Sequence, residues 1–351
     1  MIRKTRQIRL GDIKIGNDAP ISIQSMTNTD TRDVAATVKQ ISVLEKSGCE
    51  IVRIAVRDAD SAKALARIKS KARIPIEADI HFDYRLALLA IKSGVDGIRL
   101  NPGNIYNAIQ VKRIITECKF KKIPVRIGVN SGSLPKCKNS KPIADNMVKA
   151  ALKYIKLFEK ERFYDIMISL KASDVATTIA AYRKMSLLCR YPLHLGVTAT
   201  GEGTEALIKS AIGIGALLSE GIGDTIRVSL TGDPIEEVFI GKEILQALGK
   251  RYFKHDVISC PTCGRCQVDL IKMVREFKKK LARKNPHCMP DKKLQIAIMG
   301  CEVNGPGEAK ESDIGIAFGK ESGMLFKKGK VIRKIKVKDA VNELLKLVTS
   351  K

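Results

Sequence analysis

Between residue 20 and about residue 250 the chain repeats one pattern, a short run rich in Ile and Val that ends in polar residues, then a stretch long enough for a helix. The runs are ISIQS (21–25), EIVRIA (50–55), IEADIH (76–81), GIRLN (97–101), VRIGVN (125–130), IMISLK (166–171), LHLGVT (193–198) and TIRVSL (225–230). In the first intervening stretch Val34, Val38, Ile41 and Leu44 fall at helical spacing and make one apolar stripe. A loose repeat runs through the pattern. Ser47-Gly48, Ser93-Gly94 and Glu220-Gly221 lead into the strands carrying Arg53, Arg99 and Arg227, with glycine where a left-handed residue would end a helix. Strands alternating with helices over about 230 residues belong to the α/β class and predict a (β/α)₈ TIM barrel in preference to a doubly wound open sheet.

In a barrel the residues that end the strands converge on one rim, where such folds carry their active sites. That rim would gather Arg53, Asp79, His81, Arg99, Asn101, Arg126, Asn130, Ser169, Lys171, His194 and Thr198. Arginines, a lysine and asparagines around one mouth suit phosphate oxygens, so a phosphorylated substrate is expected. The same residues have plainer uses, since a strand-end Arg or Asp also satisfies loop carbonyls and amides, and His81 and His194 also fit hydrogen-bonded core positions. Lys171 could instead form a Schiff base, provided burial and cationic neighbours depress its pKa.

Composition narrows the classes. With 63 Lys and Arg against 37 Asp and Glu the chain carries a formal charge of +26, which suits nucleic acid, a membrane surface, anionic metabolites or an acidic partner. There is no Trp and aromatics are 5%, poor material for stacking single-stranded bases. At 44% hydrophobic residues the chain can bury a core, which excludes intrinsic disorder. Its longest apolar stretches, LALLAI (86–91) and AIGIGALL (211–218), fall far short of the roughly 18 residues of a membrane span. The basic amino terminus lacks the apolar run of a secretory signal, so the expected location is the cytoplasm and no membrane is involved. Nine cysteines in a reducing compartment read as metal ligands, redox groups or buried apolar side chains before disulfides.

Five of those nine, Cys260, Cys263, Cys266, Cys288 and Cys301, lie beyond residue 250, where the composition changes and a second domain (251–351) is expected after the barrel (1–250). Cys260 and Cys263 form a CxxC pair open to zinc, thiol redox chemistry or an iron–sulfur cluster. Zinc would want a second close pair, which Cys288 and Cys301 do not make, and His287 is a weak substitute. A cluster needs about four ligands. Cys260, Cys263 and Cys301 supply three, and Cys266, Cys288 or an oxygen ligand is open as the fourth. In MGCEVNGPGEA (299–309), Gly305-Pro306-Gly307 is expected to form a tight turn that returns Glu308 towards Cys301. Cys49, Cys118, Cys137 and Cys189 read as buried or bystander residues.

QSMTNTDT (24–31), ADIHFD (78–83), RLNPGN (99–104), RIGVNSGSL (126–134), LHLGVT (193–198), KSAIGIGALL (209–218), GDTIRVSLT (223–231), CPTCGR (260–265) and MGCEVNGPGEA (299–309) together resemble the 4-hydroxy-3-methylbut-2-enyl diphosphate synthase family of the non-mevalonate isoprenoid pathway. The resemblance covers nearly the whole chain. It implies a TIM barrel followed by a smaller α+β iron–sulfur domain holding a [4Fe–4S] cluster through Cys260, Cys263, Cys301 and Glu308. It implies reductive ring opening and dehydroxylation of 2-C-methyl-D-erythritol 2,4-cyclodiphosphate, with two electrons delivered singly by ferredoxin or flavodoxin. Substrate binding would fall to Arg53, Asp79, Arg99, Asn101, Arg126, Asn130, Ser169, Lys171, His194 and Thr198. Glu308 would be catalytic, displaced from the unique iron by a substrate oxygen. The resemblance also implies a homodimer in which the cluster domain of one subunit caps the barrel mouth of the other. Nucleic acid then drops back as a partner. An RNA-directed barrel with a zinc site and a Schiff-base aldolase on Lys171 are the competing functions.

Two departures from the family pattern stand out. After LHLGV the family usually reads Thr-Glu-Ala-Gly, whereas here Thr198-Ala199-Thr200-Gly201 puts alanine where the glutamate would face the substrate, with Glu202 or Glu205 as substitutes. CPTCGRC adds Cys266, which either competes with Glu308 or sits beside the cluster.

Overall fold

In the computed structural model, which describes residues 3–134, 142–284 and 293–349, the chain opens with an antiparallel hairpin, β1 (Ile8–Leu10) and β2 (Ile13–Ile15). Gly11 takes the left-handed φ of 60° that its two-residue turn requires. Ile8, Leu10 and Ile15 pack against Ile51 and Met167 from the strands that follow.

Those strands are β3 (Ser22–Met26), β4 (Ile51–Val56), β5 (Ile76–Ile80), β6 (Gly97–Leu100), β7 (Val125–Asn130), β8 (Ile166–Lys171), β9 (His194–Leu195) and β10 (Thr225–Ile226). They pair in parallel in the order β8-β7-β6-β5-β4-β3-β10-β9, and an Ile168–Leu193 bridge joins the two ends of that order. The sheet therefore closes on itself as a (β/α)₈ barrel, and the open-sheet alternative is excluded.

The helices between the strands are α1 (Val34–Ser47), α2 (Ala59–Lys69), α3 (Tyr84–Lys92), α4 (Ala108–Lys121), α5 (Ile143–Lys160), α6 (Val175–Leu188), α7 (Gly203–Ser219) and α8 (Pro234–Ala247). Most start the same way. Asp33, Asp58, Asp83, Asn107, Asp174 and Asp233 each accept a hydrogen bond from a backbone N–H of the first turn, satisfying donors that a helix start leaves free. Gly48, Gly94 and Gly221 take positive φ at helix ends, as the repeat required.

The chain divides into two units, Met1–Arg251 and Tyr252–Lys351. The second is built on a five-stranded mixed sheet, β11 (Asp256–Ser259), β12 (Gln295–Met299), β13 (Ile314–Phe318), β14 (Ser322–Lys327) and β15 (Lys330–Lys336), in sequence order. β11, β12 and β13 run parallel, and β14 and β15 add antiparallel. Helices α9 (Leu270–Lys284) and α11 (Ala340–Thr349) share a core with the sheet through Phe277, Ile296, Ile316, Leu325 and Leu344. The short α10 (Gly305–Glu311) packs Ala309 with Ala297, Met299, Ala317 and Phe326 in a second cluster. Among the described residues no helix is long and apolar enough to cross a membrane.

Candidate functional site

Side chains alternate along a strand, and the pairing registers sort the inward ones of the barrel into layers of four from alternate strands. One layer holds Gln24, Glu77, Arg126 and His194. The next layer towards the strand C-termini holds Arg53, Arg99, Ser169 and Arg227, and the third holds Met26, Asp79, Gly128 and Gly196. Branched apolar residues usually fill such layers. Here the first two are almost wholly polar.

Buried charges of this kind persist only when paired, and these are. Arg126 donates to Gln24 Oε1 at 2.8 Å, Gln24 Nε2 donates to Glu77 Oε2 at 3.1 Å, and Arg126 Nη2 lies against Glu77 as an ion pair. Asp79 bridges two guanidiniums, 3.1 Å from Arg99 and 3.5 Å from Arg53. Arg227 grips Glu237 with two nitrogens at 3.2 and 2.7 Å, and Ser25 donates to the same carboxylate at 2.8 Å. Four arginines thus face three carboxylates, which leaves net positive charge in the barrel.

The titrating groups report this field. Burial alone would raise Asp79, but Arg53, Arg99 and Arg126 outweigh it and hold its carboxyl down at about 2. Burial, then Arg53, Arg227, Arg126 and Arg99, push Lys171 well below its ordinary value. Burial, then Arg126 and Lys171, do the same to His194, which stays a neutral imidazole with Nδ1 2.8 Å from Thr225 Oγ1. Among the described residues, Lys171 Nζ, His194 Nε2 and Arg126 Nε are buried here without a hydrogen-bond partner, and Arg126 Nη2 has only its ion pair with Glu77. Unmet N–H groups of Lys171 and Arg126 in a cationic cluster are the chemistry of an anion site.

Glycines at two of the four positions in the third layer let cationic side chains lie against the backbone, in volume that a Cβ would claim. A Cβ on Gly128 would collide with Arg99 Nε. One on Gly196 would lie 2.7 Å from Lys171 Nζ and 2.6 Å from the Arg227 carbonyl oxygen.

The structure departs from the expected rim at several residues. Arg126 and His194 are not on it: they are 1% and 0% exposed in the deeper layer, because each sits near the start of its strand. Asn101 is buried and spends its side chain on Ser133 Oγ and the Gly103 amide, holding a loop. Asn130 and Thr198 are half-buried, and Ser169 is buried among the arginines. His81 Nδ1 lies 3.4 Å from the Val56 carbonyl oxygen, the plainer role. Ala199 is exposed at φ 53°, and Glu205 is committed to Lys209 on the surface. Gln24, Glu77, Arg227 and Glu237 belong to the network and were missed as site residues. The signal for Arg227 was its place in the glycine-strand repeat, and for Glu77 its spacing of two from Asp79.

In the second unit, parallel pairing of β11 with β12 sets Cys260 and Cys301 past the same end of neighbouring strands, and Cys260 Sγ accepts from the Gly300 amide at 3.3 Å. The loop Pro261–Arg265 is exposed, with Thr262 in the left-handed region. Hydrogen bonds from Arg265, backbone and side chain, lower the Cys263 thiol; the backbone amides of Asn304, Val303 and Gly305 lower Cys301. The two thiols lie close enough to repel one another as anions. Gly305-Pro306-Gly307 does not form the expected tight turn. It opens α10, since proline's fixed φ suits a first helical turn, and it leaves Glu308 exposed in that turn. Cys266 Sγ donates to the Val268 carbonyl at 3.3 Å and packs against the sheet core. Among the described residues no three His, Cys, Asp or Glu side chains stand close enough to hold a single metal ion. The donor set, three thiols of which two are held towards thiolate, has the soft-ligand chemistry that an iron–sulfur group takes. Cys137, His287 and Cys288 lie outside the described residues.

Comparison with known proteins agrees with this layout. The chain matches the GcpE TIM-barrel domain over residues 5–242 and the GcpE protein C-terminal domain over residues 256–350. It is 54% identical over 351 residues to the 4-hydroxy-3-methylbut-2-en-1-yl diphosphate synthase (flavodoxin) of Clostridium perfringens, covering 99% of this chain and 98% of that protein. A protein of the same name from Lawsonia intracellularis is 53% identical over 342 residues, with 96% and 93% covered. Among solved structures, a dihydropteroate synthase from Coxiella burnetii shares the fold alone, at a TM-score of 0.50 and 15% identity over 69% of this chain and 97% of that one. Matched in both of its parts and more than half identical to relatives over nearly its full length, the chain belongs to the GcpE family.

Proposed function

We propose that this chain is a flavodoxin-dependent 4-hydroxy-3-methylbut-2-en-1-yl diphosphate synthase. It opens the ring of 2-C-methyl-D-erythritol 2,4-cyclodiphosphate and removes one oxygen, taking up two electrons and two protons to release the linear allylic diphosphate and water. Identity above half over nearly the full length supports the activity. The observation in the fold that carries the substrate class is the polar barrel interior, where Arg99 and Lys171, the latter with an unpartnered Nζ, lie against the backbone at Gly128 and Gly196 among paired arginines. The aldolase and RNA readings find no support in the family.

In this reading Arg53, Arg99, Arg227, Ser169 and Lys171 hold the diphosphate, braced by Asp79. Arg126 and His194 support them from the layer beneath, and Asn101, Asn130 and Thr198 shape the mouth. Burial and the surrounding arginines disfavour the charged form of Lys171 in the free protein, and an entering anion favours it. The network is assembled before substrate arrives, so little reorganisation is needed on binding. A [4Fe–4S] cluster held by Cys260, Cys263, Cys301 and Glu308 supplies, when bound, one-electron transfer and a Lewis-acidic iron. Exposed Glu308 is free to serve as its replaceable oxygen ligand. The protein acts in the cytoplasm as a homodimer, with flavodoxin as donor.

The test is metal and sulfide content per chain after strictly anaerobic purification, with electron paramagnetic resonance of the reduced protein. About four irons and four sulfides, with a signal altered by the cyclic diphosphate, are expected. Zinc without sulfide would overturn the redox reading.

A further inference from the structure

Helix α9 carries Lys or Arg at seven of its fifteen positions and a single acid, Glu276. Its partly buried face, Leu270, Val274, Phe277 and Leu281, packs on the sheet. The opposite face presents Lys272, Arg275, Lys279 and Arg283, spaced by three, four and four residues, as one exposed stripe. Glu276 pairs with Lys280 at 2.7 Å and also feels Lys272, so it offsets only one end of the stripe. Exposed cations on the barrel are often matched, as Arg32 is with Asp30, Arg85 with Asp83 and Arg183 with Glu220.

The helix also starts beside the cysteines. A Cβ on Gly300, the residue before Cys301, would collide with Cys266 Sγ and lie 3.4 Å from Leu270 Cδ2 at the first position of α9. The loop that carries Cys263 and Arg265 is exposed. Two apolar side chains are exposed in the segments next to it, Ile271 at 53% and Val303 at 61%. Apolar contacts rimmed by unpaired cations are the make-up of a protein-docking surface, and opposite charge on the partner would steer encounter.

We propose that the α9 stripe, which begins beside the cysteines, is the docking surface for the electron donor, an acidic carrier whose surface carboxylates face Lys272, Arg275 and Lys279. This rests on the flavodoxin-dependent reading above and adds where that partner binds. Electrons would enter through the exposed Cys263 side of the site, while the barrel is left to the substrate.

The experiment is charge reversal of the holoenzyme, Lys272→Glu with Arg275→Glu and Lys279→Glu. Turnover is measured with reduced flavodoxin and, separately, with reduced methyl viologen, a small donor that needs no docking face. Flavodoxin binding is measured directly at two salt concentrations. The flavodoxin requirement should rise roughly tenfold or more, and its salt dependence should flatten. Iron content and viologen-driven turnover should match the unaltered enzyme. Flavodoxin binding and turnover unchanged in the variant would overturn the proposal, as would loss of salt-sensitive RNA retention without loss of flavodoxin binding. Were the triple variant to lose iron, Lys272→Gln with Lys279→Gln gives the same reading with a smaller effect. No viologen-driven turnover in the unaltered enzyme would count against the activity, and direct binding would still decide the docking surface.

Discussion

The barrel interior and the cysteine edge of the second unit treat charge in opposite ways. In the barrel, Arg126, Arg99 and Arg227 are sunk below the surface and matched to Glu77, Asp79 and Glu237. At the cysteine edge, Cys263 and Arg265 are exposed on a loop, and among the described residues the cations of α9 have no acidic partner apart from Glu276. A buried pair costs desolvation, which is recovered only in a fixed geometry. A fixed buried cluster of this kind suits one small anion of set shape, the role proposed for the barrel. An exposed loop keeps its charges in water at little cost, which suits groups that are loaded or that come and go.

The largest effect that would sharpen this contrast is Cys301→Ser. Iron content should collapse and turnover fall to roughly a hundredth or less, while the barrel's unfolding is unchanged. Full iron and full turnover would remove Cys301 from the proposed ligand set. Arg126→Met comes next. It strands the Glu77 carboxylate in the barrel and should destabilise it by about 3–5 kcal/mol in urea unfolding. Adding Glu77→Gln should recover part of that loss, and no recovery would show that the pair is not what holds the layer.

Gly196→Ala should cost about 1–3 kcal/mol, because the new methyl meets the Arg227 carbonyl and Lys171 Nζ. It should also weaken diphosphate binding, seen in calorimetry, while cluster content stays constant. An unaffected affinity would mean that Lys171 does not face the ligand.

The smallest effect is in pH. His194 is lowered in the fold, so below its ordinary value of 6.5 the unfolded chain binds a proton that the folded chain refuses, and stability falls as pH falls. Asp79, held at about 2, contributes stability above its ordinary value of 3.8 that is lost as pH drops towards 2. Thermal unfolding between pH 8 and 5 should therefore show a slope of at most about 1.4 kcal/mol per pH unit from His194. His194→Gln should reduce it, leaving what Lys171, lowered likewise, contributes, and an unchanged slope would assign the proton uptake elsewhere.

Much of this was legible along the chain. The alternation of Ile and Val runs with helical stretches located all eight barrel strands, and glycines such as Gly48 marked helix ends, because both signals are local. The rim was less legible. Strand position alone put Arg126 and His194 at the mouth, whereas the stagger of a closed barrel sets them in a lower layer with Gln24 and Glu77. NGPG read as a turn, but the sheet beneath it offered Ala297, Met299 and Ala317 for Ala309 to pack on, so the segment continues as α10.

What the sequence determined by itself is the strand-helix period, the glycines that end helices, the cationic surplus and the motif order that names the family. Each depends on neighbours a few residues apart or on composition. Only the tertiary structure decided which arginines are matched and which nitrogen atoms are left over. Pairing of Arg126 with Glu77 across 49 residues, or of Arg227 with Glu237 and Ser25, is set by how a closed sheet staggers its strands, and no local pattern encodes that stagger.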